Sequence, residues 1–196
     1  MRVVLASRNR HKLTELSAIL SQHGFEIVLE SDCGLDLEVE ETGTTFEENS
    51  MLKARAVLEA SGLPALADDS GLAVDALGGA PGVYSARYGG RDSDAARIAY
   101  LLENLKDVPP ERRTARFVCV ITCLLPDGRS IVARGECPGL ILDAPRGESG
   151  FGYDPVFYLP EAGRTFAELS PEEKNARSHR ARALEAFCRK IQEEKL

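Results

Sequence analysis

Apolar and polar positions change period several times along this chain, and the changes mark its elements. Arg2–Ala6 opens with a short apolar run, the pattern of a strand buried on both faces of a parallel sheet. A polar turn follows, then a helix over Arg10–Gln22 with Leu13, Leu16 and Leu20 on one stripe. Gly24 ends that helix, and Glu26–Leu29 reads as the next strand. The acidic stretch up to Gly43 reads mostly as loop. Thr45-Phe46-Glu47-Glu48 is a capping box, in which Thr45 caps a helix and Glu48 reaches back to it. This helix runs to about Ser61 and stops at Gly62 and Pro64. Ala65-Leu66-Ala67 predicts another buried strand, one that delivers Asp68-Asp69-Ser70-Gly71 at its carboxyl end.

Further along, the glycine-rich loop Gly78–Gly82 precedes a helix over Asp92–Leu105, and Pro109-Pro110 breaks the chain. Thr114–Leu125 and Ser130–Ile141 are β-rich, and Pro126-Asp127-Gly128 between them is a hairpin turn signal. Gly147–Pro155 is a second glycine-rich loop. Glu172–Lys195 reads as one helix, with Ala183, Leu184, Phe187 and Ile191 opposite a charged face. Strands alternating with helices early, and a hairpin late, predict an α/β protein with a mixed central sheet flanked by helices. No repeat and no separable linker appears, so residues 1–196 read as a single domain.

Composition narrows the function. The 196 residues are 43% hydrophobic and 28% charged, as in a soluble globular protein with a real core. A net charge of −7 argues against sequence-independent binding of nucleic acid, which needs a cationic footprint. It leaves room for a phosphate-bearing ligand in a local basic pocket. The opening apolar run is too short for a signal peptide, and none approaches the ~20 residues of a membrane span. The five cysteines are scattered without a Cys-x-x-Cys and read as reduced thiols of a cytoplasmic protein. The three histidines are not paired at zinc-ligand spacing; a hard, oxygen-bound cation stays open.

Several groups have the chemistry for such a ligand, each beside a plainer reading. Ser7-Arg8-Asn9-Arg10-His11-Lys12 lies where a strand turns into a helix, and free backbone N–H groups there can dock an anion. The same turn also suits an ordinary helix capped by Asn9, with a solvated basic face. Asp68 and Asp69 suit Mg²⁺ binding or water activation, or simply an acidic turn. Glu40 and Glu41 are candidate ligands or solvated charge. Asn49 and Lys53 share one helix face, and a lysine there is a surface residue unless it meets a partner. Gly150-Phe151-Gly152-Tyr153-Asp154-Pro155 offers aromatic faces for a base, although aromatics near turns also anchor cores. Lys174, His179 and Arg180 concentrate donors near a helix start. Without Gly-x-Ser-x-Gly, Ser70 and His179 do not make a nucleophilic triad, and direct attack by water is the simpler mechanism.

These pieces occur in a fixed order: Ser7-x-Asn9-x-x-Lys12, Glu41-Thr-Gly-Thr-Thr-Phe-Glu-Glu-Asn49, Asp68-Asp69-Ser70-Gly71-Leu72, Gly79-Ala-Pro-Gly-Val-Tyr-Ser-Ala-Arg-Tyr88, Phe151-Gly-Tyr-Asp-Pro155 and Ser178-His-Arg180. Over essentially its whole length the chain resembles the inosine triphosphate pyrophosphatase family, which includes the bacterial dITP/XTP pyrophosphatases. The resemblance implies Mg²⁺-dependent hydrolysis of ITP, dITP and XTP to the monophosphate and pyrophosphate, which cleanses the nucleotide pool. It also implies an elongated two-lobed fold with the active site in the cleft, and a homodimer.

By motif matching, Ser7, Arg8, Asn9, Arg10, His11 and Lys12 would hold phosphates. Asp69 would be proton acceptor and metal ligand, Glu41 a further ligand with Glu40 as its alternative, and Ser70 a substrate contact. Phe151, Gly152, Tyr153 and Asp154, with Lys174, His179 and Arg180, would bind the nucleotide, His179 and Arg180 facing the 6-oxo edge of the base. Lys53 would join Lys12 and Arg8 in offsetting phosphate charge. Two other readings stay in view: a nucleotide-sensing module without turnover, and a Maf-type pyrophosphatase acting on modified pyrimidine nucleotides.

Overall fold

The computed structural model describes residues 1–194, apart from the side chain of His11. Its strands are β1 (Arg2–Leu5), β2 (Glu26–Leu29), β3 (Ala65–Val74), β4 (Thr114–Leu124), β5 (Ser130–Ile141), β6 (Phe157–Leu159) and β7 (Arg164–Thr165). They form one sheet in the order β2-β1-β3-β4-β5-β6-β7. The helices are α1 (Arg10–Leu20), α2 (Phe46–Ser61), α3 (Asp94–Asn104), α4 (Pro171–Asn175) and α5 (His179–Glu193). The mixed α/β architecture is as expected. By contacts the chain divides into two compact units. One holds Met1–Asp69, Cys119–Gly135 and the chain from Arg180 onward; the other holds Ser70–Val118 and Glu136–His179.

In the first unit β1 runs parallel to β2 along its whole length, and parallel to β3 only at Val4↔Ala65 and Leu5↔Leu66. Alternation along the strands sorts side chains onto two faces. Val3, Leu5 and Leu66 pack with Leu16 and Leu20 of α1 and with Leu184 and Phe187 of α5. Val4, Ala6, Ala65 and Ala67 face the other way and pack with Ala54 and Val57 of α2. The capping box on α2 forms as predicted: Glu48 N donates to Thr45 Oγ1 at 3.1 Å, and Thr45 N to Glu48 Oε2 at 3.2 Å.

The second unit is organised on aromatic rings. Phe117 stacks nearly parallel on Phe166, with centroids 5.6 Å apart, and Phe157 tilts against both. Ile98 and Leu101 of α3 and Tyr153 of the second glycine-rich loop join this cluster.

Four expectations need correction. The third strand is longer than predicted: β3 runs for ten residues, so Asp68, Asp69 and Ser70 lie within it and not at its carboxyl end. β1 ends beside Leu66, and β3 continues next to β4. The final helix is two helices, α4 and α5, separated by Ala176-Arg177-Ser178. Ser178, His179 and Arg180 are all buried, and three consecutive buried polar residues suit an element's start, because an amphipathic helix running on in solvent buries only one stripe. The first helix gives way to a 3₁₀ turn at Ser21–His23. Strands β6 and β7, and the helical turns within Gly82–Gly90 that are broken by non-helical backbone at Arg87, Tyr88 and Gly89, were missed; the two strands are too short for a periodicity to show. Among the described residues no helix is long and apolar enough to cross a membrane.

Candidate active site

The alternation that sorts the core also splits the two aspartates. Asp68 falls on the α1/α5 face, where Lys12 Nζ lies 2.7 Å from Oδ1 and Arg180 Nη2 lies 3.1 Å from Oδ2. Arg180 Nε also donates to Oδ2 at 3.3 Å, and Nη1 donates to Glu15. Asp69 falls on the α2 face, where Lys53 Nζ lies 2.7 Å from its Oδ1 and 2.9 Å from Glu41 Oε1. Lys53 therefore has partners and is no surface lysine. Of the two candidate glutamates, Glu41 reaches the cluster, while Glu40 is exposed.

The environments drive the two carboxyls apart. Burial pushes Asp68 up, but Lys12 and Arg180 outweigh it and hold the group well below the carboxylate range. Burial also pushes Asp69 up; Lys53 opposes this and Glu41 adds to it, so the net direction is upward. Each lysine also lowers the other aspartate, so the two clusters act as one electrostatic unit. The two adjacent carboxyls are thus shifted in opposite directions. On Lys53, desolvation is overcome by Asp69 and Glu41, and the ammonium is stabilised.

A divalent cation fits this arrangement. Asp69 Oδ2 is buried and has no hydrogen-bond partner among the described residues, with Glu41 gathered to the same lysine. No group of three or more His, Cys, Asp or Glu among the described residues could hold a metal by itself. Mg²⁺ commonly takes one or two carboxylates and completes its shell with water and phosphate oxygens.

The Ser7–Lys12 turn is engaged with itself and with acids. Asn9 N donates to Ser7 Oγ at 3.1 Å, and Lys12 N to Asn9 Oδ1 at 3.4 Å, the N-cap geometry. The Arg8 guanidinium turns to Asp36 and Glu30, Arg10 is exposed, and the side chain of His11 lies outside the described residues. Ser70 is half-buried in β3.

The second unit carries the aromatic loop. Phe151 is 44% exposed, and Lys174 Nζ lies 4.7 Å from its ring centroid. Asp154 is buried; its Oδ2 accepts from Phe151 N at 2.9 Å and from Lys174 Nζ. A Cβ on Gly150 would come within 2.1 Å of that same oxygen, and φ there is +79°, so only glycine fits. Gly152 N donates to Asp94 Oδ2 at 2.7 Å. A cavity of about 430 Å³ opens beside the loop, lined by Ile98 and Leu102 of α3 with Pro145, Phe151 and Gly152.

Three of the expected contacts have protein partners of their own. Tyr153 is a core anchor: it is buried and its hydroxyl donates to Ser85 O at 2.9 Å. Arg180 donates to Asp68 through Nε and Nη2 and to Glu15 through Nη1. His179 is buried against Phe117, stacked at 4.8 Å. Sequence reading missed Glu15 and Asp94. Glu15 shares the α1 face with Lys12 at i, i+3, a signal that was available; Asp94 gave none beyond its place after the Ser93 cap.

Fold and side chains together define an α/β protein with a carboxylate–lysine centre beside its parallel strands. Residues 3–190 match the Ham1 family, and the chain belongs to that family. It is 54% identical to the dITP/XTP pyrophosphatase of Shigella flexneri, covering 93% of this chain and 94% of that one. It is 55% identical to a dITP/XTP pyrophosphatase of Thermus thermophilus, covering 95% and 90%. The Ham1 protein of Staphylococcus aureus superposes with a TM-score of 0.91 at 42% identity, covering 99% of this chain and all (100%) of that one.

Proposed function

We propose that this chain hydrolyses non-standard purine nucleoside triphosphates (ITP, dITP and XTP) to the monophosphate and pyrophosphate, with Mg²⁺ as cofactor, and works as a homodimer in the cytoplasm. That it is a nucleoside triphosphate pyrophosphatase follows from its kinship with enzymes of that name at 54% and 55% identity. The finer reading rests on one observation above all: the opposed environments of Asp68 and Asp69, each with its own lysine.

In this reading Asp69 accepts the proton of the attacking water. Asp69 and Glu41 hold the cation through carboxylate oxygens, and bound Mg²⁺ supplies Lewis-acid charge at the phosphate oxygens. Lys53 keeps Glu41 and Asp69 together and offsets phosphate charge as it accumulates. Lys12 and the amide end of α1 face the polyphosphate, with Asp68 fixing the lysine. Ser7, Asn9, Arg10 and His11 form the turn that presents them. Ser70 contacts the substrate, and Phe151 stacks on the purine. Lys174, Asp154, Gly152 and His179 shape the base pocket.

The test is a panel of ITP, XTP, GTP and ATP with and without Mg²⁺, scored for pyrophosphate against phosphate release. Pyrophosphate from ITP and XTP alone, abolished by chelator, is expected. Saturable binding without turnover would make the chain a sensor, and phosphate release would move the attack to another phosphorus. Light scattering that returned a monomer would remove the homodimer.

A further inference from the structure

The carboxylate of Glu41 comes from a loop, between the acidic stretch and α2, that has no regular structure. Something other than secondary structure must therefore fix it. Lys53 holds the carboxylate itself at 2.9 Å. Toward α2, Thr44 N and Oγ1 and Thr45 N all donate to Glu48 Oε2, which is the work of a helix cap. Between these anchors Gly43 N donates to Asn49 Oδ1 at 2.8 Å.

Capping does not explain Asn49. It lies inside α2, fully buried, and its Nδ2 has no partner among the described residues. Asparagine is a poor helix former, and a buried donor left unpaired costs stability. A leucine of similar shape would serve the helix better. What the amide alone supplies is the acceptor for Gly43. The fit is close from the other side as well: a Cβ on Gly43 would come within 2.6 Å of Asn49 Oδ1 and 2.7 Å of Glu48 Cβ. No left-handed φ is recorded there, so this glycine is required by space and not by conformation. Asn49 and Lys53 sit one turn apart on the same face of α2, so one helix face holds both the Glu41 carboxylate and the backbone two residues on.

We propose that Asn49 is a positioning residue that sets the Glu41 carboxylate for a divalent cation by pinning Gly43 to α2. The proposal rests on the reading of Glu41 and Asp69 as the cation site. Partners that orient ligands typically change metal affinity 10–100-fold (on the order of one to two decades) when lost.

The experiment measures Mn²⁺ binding to the nucleotide-free full-length chain by water-proton relaxation, with thermal melting as the check on folding. Asn49→Leu removes the acceptor and the orphan donor together. It is expected to bind Mn²⁺ about tenfold more weakly, with little change in Tm. Gly43→Ala disturbs the same contact from the loop side and is expected to act alike; it decides the question if Asn49→Leu does not fold. In a Glu41→Gln background Asn49→Leu should cost nothing further, because the two act on one ligand. Wild-type Mn²⁺ affinity in folded Asn49→Leu, or the same loss with and without Glu41, would overturn the proposal. Should Glu41→Gln itself leave Mn²⁺ binding unchanged, the cation reading falls and the proposal with it. Weakening by Glu41→Gln but not by Asn49→Leu removes only the positioning role.

Discussion

Asp68 and Asp69 are adjacent in sequence but do different work, because one step along a strand turns a side chain to the opposite face. Asp68 meets Lys12 and Arg180 and serves as a buried fixed charge; Asp69 meets Lys53 and keeps one buried oxygen without a partner among the described residues. Substitution should separate the roles. Asp69→Asn keeps the shape and leaves Lys53 its Glu41 contact, so the fold should hold while turnover falls by ~10²-fold or more. Asp68→Asn leaves Lys12 without its counter-charge and the buried Arg180 guanidinium with Glu15 alone. It should destabilise by about 3–5 kcal/mol, the usual cost of breaking a buried pair from one side, as read from urea denaturation. Near-normal kcat in Asp69→Asn at saturating Mg²⁺ would remove that residue from the chemistry. Arg180→Ala belongs with Asp68→Asn and should lower stability without altering the ratio of kcat/KM for ITP and ATP.

At the scale of elements, legibility followed the strength of local signals. α2 was readable to the residue, since Thr45, Glu48, Gly62 and Pro64 mark its ends chemically. The hairpin strands β4 and β5 were readable from their length and the turn between them. β3 was not, because two acids and a serine in mid-strand look like a turn until the lysines that neutralise them are known, and those come from α1 and α2. The same limit hid the role of Arg180: a basic residue at a helix start suggests a ligand, while its partners Glu15 and Asp68 lie far off in sequence. The aromatic loop was legible as a loop, but which ring anchors and which remains exposed depended on Ser85 and Asp154. Its glycines give a test at this scale. Gly150→Ala forces a side chain into a left-handed backbone and against Asp154 Oδ2, so Phe151 and Lys174 lose their shared anchor. KM for purine triphosphates should rise several-fold, about the effect of a misplaced stacking face, with kcat changed far less. An unchanged KM would separate this loop from substrate.

Across the whole molecule, the response of stability to pH is the sum of these local environments. Several carboxyls are held below their ordinary values. Burial raises Asp68, but Lys12 and Arg180 bring it down. Burial raises Asp94, but the Gly152 N–H and Arg97 bring it down. The N–H of Thr44 lowers Glu48, and Arg164 lowers Glu173. A depressed group contributes stability fully above its unfolded value, near 3.8 for aspartate and 4.5 for glutamate, and loses it as the pH falls toward the folded value. Burial raises Asp69 and Glu30 above their ordinary values, and such groups act oppositely, because the folded state takes up protons before the unfolded one. Asp68 should dominate, being fully buried with two cations against it, so the net prediction is a Tm that is flat near neutrality and falls below about pH 4. The variant that isolates the cause is Asp68→Asn. Its Tm should lie well below that of the wild type at pH 7, and the gap should narrow steadily below pH 3.8, as the unfolded wild-type chain begins to bind the proton that the folded chain refuses. Melting curves of both proteins from pH 7 to pH 3 make the comparison. A gap that stays constant across that range would assign the acid response to the exposed carboxyls and leave Asp68 a structural charge without a pH signature.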